Sequence, residues 1–136
     1  MKIHHIGYLV DDIKAAALEF VNLGYSQTSE IVEDISREIY IQFFENDGYV
    51  VELIQPTSEN SPIHKLRKKH RNSPYHICYE TDDLQTEIAS MVDNTNGRYV
   101  LLQPPQPAPA IGNRQVAFLV SKEIGMIEIL GNINRD

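Results

Sequence analysis

Cysteine is nearly absent from this sequence: among 136 residues only Cys78 is present, so neither a disulfide framework nor a thiolate zinc cluster can form. Any metal this chain holds must be bound through nitrogen and oxygen. Long apolar runs are missing as well, and no stretch approaches the length needed to span a bilayer. The N-terminus, MKIHHIGYLVDD, places histidines and then carboxylates where a signal peptide needs a continuous apolar segment, so a cytoplasmic location is expected. Basic residues are scarce, 12 Lys and Arg against 19 Asp and Glu, and the net charge of −7 argues against a general nucleic-acid binder. One local exception is the run His64-Lys65-Leu66-Arg67-Lys68-Lys69-His70-Arg71. It follows Ser61-Pro62, an N-cap and first helical position, and reads as a short connector helix with Ile63 and Leu66 turned inward. Such a run usually faces water, but it could also meet substrate phosphates.

What the chain does contain is a repeat. His5-Ile6-Gly7-Tyr8-Leu9-Val10-Asp11-Asp12-Ile13 aligns with His76-Ile77-Cys78-Tyr79-Glu80-Thr81-Asp82-Asp83-Leu84 at an offset of 71 residues. Val51-Glu52-Leu53-Ile54 aligns with Ile127-Glu128-Ile129-Leu130 in the same order. The histidine-to-glutamate spacing is 47 residues in the first half and 52 in the second, which fits an insertion near the prolines from Pro104 to Pro109. Each half has one layout. A strand runs to a double aspartate, which supplies a helix N-cap; an amphipathic helix and three further strands follow. The expected elements are a strand from Ile3 to Val10, a helix facing inward through Ile13, Ala16, Ala17, Phe20 and Val21, and strands Ser26 to Glu33, Glu38 to Glu45 and Tyr49 to Gln55. In the second half they are Tyr75 to Thr81, a helix with Leu84, Ile88, Met91 and Val92 on one face, then Arg98 to Leu102, Gln115 to Val120 and Met126 to Leu130. The fold class is therefore α+β. Two βαβββ modules, residues 1–56 and 75–136, flank a connector at 57–74.

Alternation along a strand puts Ile6, Tyr8 and Val10 on the helix side and His5, Gly7 and Leu9 on the other. By the same count His76, Cys78 and Glu80 oppose Ile77, Tyr79 and Thr81. Gly7 and Cys78 are small and leave room beside the histidines. Glu52 and Glu128 stand in the middle of apolar strands, where a carboxylate is costly unless a cation compensates it. No Lys or Arg recurs at matching positions to do so. One divalent ion held by His5, Glu52, His76 and Glu128 would satisfy both halves; imidazole and carboxylate suit Zn, Ni, Co, Mn or Fe. His4, His64 and His70 have no repeat partner and read as surface residues, and Cys78 reads as a small packing residue that could line the cavity.

On these residues the chain resembles the vicinal oxygen chelate superfamily, which includes glyoxalase I, methylmalonyl-CoA epimerase, bleomycin-resistance proteins and extradiol dioxygenases. The segments that carry the likeness are His5 to Val10, Val51 to Pro56, Tyr75 to Tyr79 and Gly125 to Ile129. The resemblance implies that the paired modules form an incomplete, curved mixed barrel around the metal. It also implies a homodimer and a small carbonyl or thioester substrate; the charge and the short apolar runs speak against a nucleic-acid or membrane partner. Asp82-Asp83-Leu84, the loop from Pro104 to Arg114 and the strand Val116 to Leu119 look like the methylmalonyl-CoA epimerase branch. Glutamate at position 52 is instead similar to bacterial glyoxalase I, since epimerases often carry Gln there. The epimerase's additional catalytic glutamate has no clean counterpart, the nearest acids being Glu33, Asp34 and Glu38. The implied chemistry is proton transfer next to a metal-bound carbonyl, by an isomerase or lyase. Glu128 and Glu52 are the catalytic candidates, and Arg114 and Cys78 are candidate substrate contacts. A metal-free binding module and a dioxygenase are the alternatives.

Overall fold

The computed structural model describes residues 1–94 and 96–132. Among these residues are ten strands and three α-helices, a mixed α+β fold as expected. Two compact units are found: His5–Tyr75, and Met1–His4 together with the chain from His76 on. The connector thus groups with the first unit. No helix among the described residues is long and apolar enough to cross a membrane.

The first unit begins on strand β1 (Lys2–Leu9), and helix α1 (Ile13–Asn22) follows. Asp12 caps that helix, accepting from the amides of Lys14 and Ala15 at 3.0 and 3.1 Å. Strands β2 (Ser26–Gln27), β3 (Val32–Asp34), β4 (Ile39–Asn46) and β5 (Tyr49–Pro56) complete the unit, in the order β2-β4-β5-β1 with β3 also on β4. The β4–β5 hairpin turns at Asp47-Gly48, both at positive φ (53° and 84°), the type I′ geometry that this dipeptide favours. The single strand expected from Ser26 to Glu33 is broken in two. The Ser29 hydroxyl accepts the Phe43 amide at 2.9 Å, so a side chain replaces a backbone partner in the ladder. Val10, Ile13, Phe44, Val51 and Leu53 form the core under α1, with Ala16, Ala17 and Phe20 packed against them. Val21, expected on that inner face, is instead 51% exposed, because it lies past the edge of the buried stripe.

The connector is a 3-10 turn (His64–Leu66) followed by the one-turn helix α2 (Arg67–His70). Ser61 does not cap it. Its buried hydroxyl donates to the Arg37 carbonyl at 3.0 Å, and Ile63 takes the cap position. Arg67 and Arg71 both reach the carboxylate of Asp11, at 2.6 and 2.5 Å, and the Asn72 amide joins them at 3.2 Å. The Arg71 and Arg67 guanidinia outweigh partial desolvation and hold the Asp11 carboxyl below its ordinary value. A lowered carboxyl contributes stability above the unfolded value, about pH 3.9, and that contribution fades as pH falls through the lower folded value. Asp11→Asn should therefore cost about 1 kcal/mol at pH 7 and much less near pH 2, measured by urea unfolding at both. An equal loss at both pH values would count against the ion pairs.

In the second unit β6 (Ser73–Glu80), most of which lies past the division, leads into α3 (Leu84–Asp93), capped by Asp83 on the Thr86 amide at 3.1 Å. Strands β7 (Tyr99–Leu101), β8 (Gln106–Ala108), β9 (Arg114–Ser121) and β10 (Gly125–Leu130) follow, in the order β6-β10-β9-β7 with β8 on β9. Leu84 and Ile88 are buried against Ala117, Leu119, Ile127 and Ile129, with Met91 and Val92 beside them, which is the helix face the spacing predicts. The proline-rich segment is more than a connector. Its middle forms β8, and Pro109–Ile111 turn as a 3-10 helix that ends on Gly112 at φ 61°.

Candidate metal centre

In the first unit His5 is 1% exposed and Glu52 3%. β1 and β5 run parallel with Gly7 opposite Glu52. β5 and β4 run antiparallel with Phe43 opposite Glu52. His5 Nε2 lies 3.4 Å from Glu52 Oε1. The Phe43 ring stands at 78° to the imidazole with centroids 5.5 Å apart.

The second unit repeats this arrangement. His76 and Glu128 are each 4% exposed. β10 runs parallel to β6 with Cys78 opposite Glu128, and antiparallel to β9 with Phe118 opposite it. His76 Nε2 lies 3.3 Å from Glu128 Oε1, and the Phe118 ring stands at 89° to the imidazole at 5.4 Å. The two phenylalanines are neighbours of the imidazoles that the repeat alignment passed over. The signal was present: Phe43 precedes Glu52 by nine residues and Phe118 precedes Glu128 by ten.

Two donors on one ion, each about 2.1 Å from it at a tetrahedral angle, stand about 3.4 Å apart. The observed 3.3 and 3.4 Å match the edge of a coordination polyhedron. Each pair therefore fits half of a nitrogen and oxygen ligand set for a divalent ion. Neutral imidazole and carboxylate are the ligand types that Zn, Ni, Co and Mn accept.

Cys78 is fully buried among Ala108, Val116 and Leu130, with Ile111 against them. Arg114 donates to the Gly131 carbonyl at 2.8 Å and to the Glu80 carboxylate at 3.1 Å. Asp34 is buried and committed to its own turn, held by Arg37 at 2.6 Å and by the Ser36 hydroxyl at 2.9 Å. Glu38 accepts from the Ser58 hydroxyl at 2.8 Å. Ile39, Ile41 and Phe43, the β4 residues across from Pro56, Ile54 and Glu52, are all apolar and buried, so β4 adds no carboxylate to the side where Glu52 lies. His4, His64 and His70 are half-buried.

A family model described as the Glyoxalase/Bleomycin resistance protein/Dioxygenase superfamily matches residues 4–118. The chain is 27% identical over 124 residues to an uncharacterized protein, YqjC, of Bacillus subtilis, covering 90% of this chain and 84% of that one. It is 25% identical over 126 residues to the mitochondrial methylmalonyl-CoA epimerase of Dictyostelium discoideum, covering 90% of this chain and 72% of that one. A crystal structure of the hypothetical protein BH1468 from Bacillus halodurans superposes with a TM-score of 0.85 at 26% identity, covering 99% of this chain and 96% of that one.

Proposed function

Because the chain belongs to the glyoxalase/bleomycin resistance protein/dioxygenase superfamily, we propose that it is a metal-dependent isomerase of the methylmalonyl-CoA epimerase kind. In this reading His5, Glu52, His76 and Glu128 would hold the single ion. The observation that carries this reading is the duplicated imidazole–carboxylate pair at 3.4 and 3.3 Å, each buried and each backed by a phenylalanine. A small thioester is the substrate class, in keeping with similarity to an enzyme named for methylmalonyl-CoA.

When bound, the ion supplies Lewis acidity that lowers the cost of negative charge on the thioester carbonyl as the neighbouring C–H breaks. The residues do the rest. His5 and His76 would each offer the ion a ring nitrogen. Glu128 takes the proton from one face of the carbon. Glu52, protonated, returns one to the other face, so each turnover exchanges their protonation states. Asp34 and Glu38 are occupied by their own hydrogen bonds and Glu33 is exposed, which supports Glu52 as the second base.

Glutamate rather than glutamine at position 52 also suits a glyoxalase-type lyase, whose proton moves to the adjacent carbon of a glutathione hemithioacetal. Purified protein assayed with both epimers of methylmalonyl-CoA in D2O, and separately with the methylglyoxal hemithioacetal, tests both readings. Deuterium entering the α-carbon supports the epimerase. Turnover of the hemithioacetal alone replaces it with the lyase.

The phenylalanine braces offer a separate test. Phe43→Leu keeps an apolar side chain of similar reach but loses the planar wall that fixes the His5 ring. Metal affinity should fall about tenfold or more while the melting temperature of the metal-free protein hardly moves. Unchanged affinity would assign Phe43 to packing alone.

A further inference from the structure

The two halves share a double aspartate after the histidine strand, yet the surroundings of that motif differ in charge. In the second unit the region carries Glu80, Asp82, Asp83 and Glu87, and Asp82 is met by the neutral amide of Asn132 at 2.8 Å. In the first unit the equivalent Asp11 is covered by two arginines from the connector. That connector carries five of the protein's 12 cationic side chains in positions 65 to 71. Asp11 neutralises only one of these charges. Lys65, Lys68 and Lys69 are exposed, and their spacing, three and four residues apart, puts them on one side of the turn and helix.

Ion pairing with Asp11 has a second effect. It ties the short helix to the chain at the end of β1, so the lysines are presented from a fixed base. A helix of four residues could not hold itself in water.

We propose that Lys65, Lys68 and Lys69 form an anion-binding arm for the phosphate-bearing end of a coenzyme A thioester. The proposal rests on the thioester reading above and adds where its nucleotide end is recognised. Phosphate oxygens are the acceptors that clustered ammonium groups suit, and a protein with a net charge of −7 would otherwise repel a polyanionic substrate.

The test is a charge-reversal variant, K65E/K68E/K69E, compared with K122E as an exposed control outside the arm. KM for methylmalonyl-CoA should rise about tenfold or more in the triple variant, the scale of three exposed ion pairs lost together. Its kcat should stay near the parent value, as should KM for the matching pantetheine thioester, which has no phosphate. K122E should behave as the parent, and added salt should erase the difference between the two substrates. Titration of free coenzyme A and of pantetheine, followed by calorimetry, reads the arm without turnover. Loss of coenzyme A binding only in the triple variant upholds the arm even if no epimerase activity is found. Equal binding of coenzyme A and pantetheine by the parent, or equal weakening in K122E, overturns it. Thermal unfolding of the variant, or the milder K65Q/K68Q/K69Q, separates a binding defect from a folding one.

Discussion

Glu128→Gln is expected to lower epimerisation by about 10²–10⁴-fold while leaving the fold intact. The amide oxygen of glutamine can still face the ion, but it cannot accept a proton. Glu52→Gln should lower turnover on the same scale, for the same reason. The informative difference lies in isotope exchange. With two bases on opposite faces, removing one stops inversion but leaves the other able to take and return the proton of a single epimer. Glu128→Gln and Glu52→Gln should therefore each retain deuterium exchange with one epimer of methylmalonyl-CoA, and with opposite ones. NMR of the α-proton in D2O reads this directly. If Glu52→Gln keeps full turnover, position 52 is a ligand and nothing more, and the second base must be sought elsewhere. If both variants exchange both epimers at the parent rate, neither glutamate is the base.

His5→Ala should abolish metal binding by the whole chain, including the His76–Glu128 pair. That follows from one shared ion: three remaining ligands, with one carboxylate left without its imidazole, hold a dication far more weakly than four. Metal analysis of the purified variant should fall from one ion per chain to near none. Stability should follow. An ion at about a thousand times its dissociation constant stabilises the folded state by about 4 kcal/mol, and that contribution disappears with the site. The parent's melting temperature should rise with added metal, and that of His5→Ala should not. Independent half-sites give a different result, in which His5→Ala keeps metal on the second pair and His76→Ala keeps it on the first. Such retention would end the single-ion reading.

The repeat was legible because it is written in residue types with sharp physical roles. Histidine, the double aspartate and a lone glutamate in an apolar strand each stand out, and their order recurs. Helix caps at Asp12 and Asp83 and the hairpin at Asp47-Gly48 were equally local: each depends on a few adjacent residues. What was missed depended on distant ones. Ser29 interrupts its strand because its hydroxyl takes the Phe43 amide, fourteen positions away. Ser61 does not cap the connector because its hydroxyl is turned toward the Arg37 carbonyl, to which it donates across twenty-four positions. β8 exists because Gln106–Ala108 lie along the free edge of β9, and no periodicity in a proline-rich loop announces that.

By itself, then, the sequence determined the α+β class, the two-fold layout and the pair of histidines and pair of glutamates worth asking about. Alternation along a strand decides which side a residue takes, and that is a property of the chain alone. Only the tertiary structure decided that His5 lies 3.4 Å from Glu52 and His76 3.3 Å from Glu128, and that Phe43 and Phe118 stand against the imidazoles. Those facts depend on strand register. The parallel pairing that sets Gly7 against Glu52 and Cys78 against Glu128 joins residues 45 and 50 positions apart, and only the packed core beneath each helix selects it.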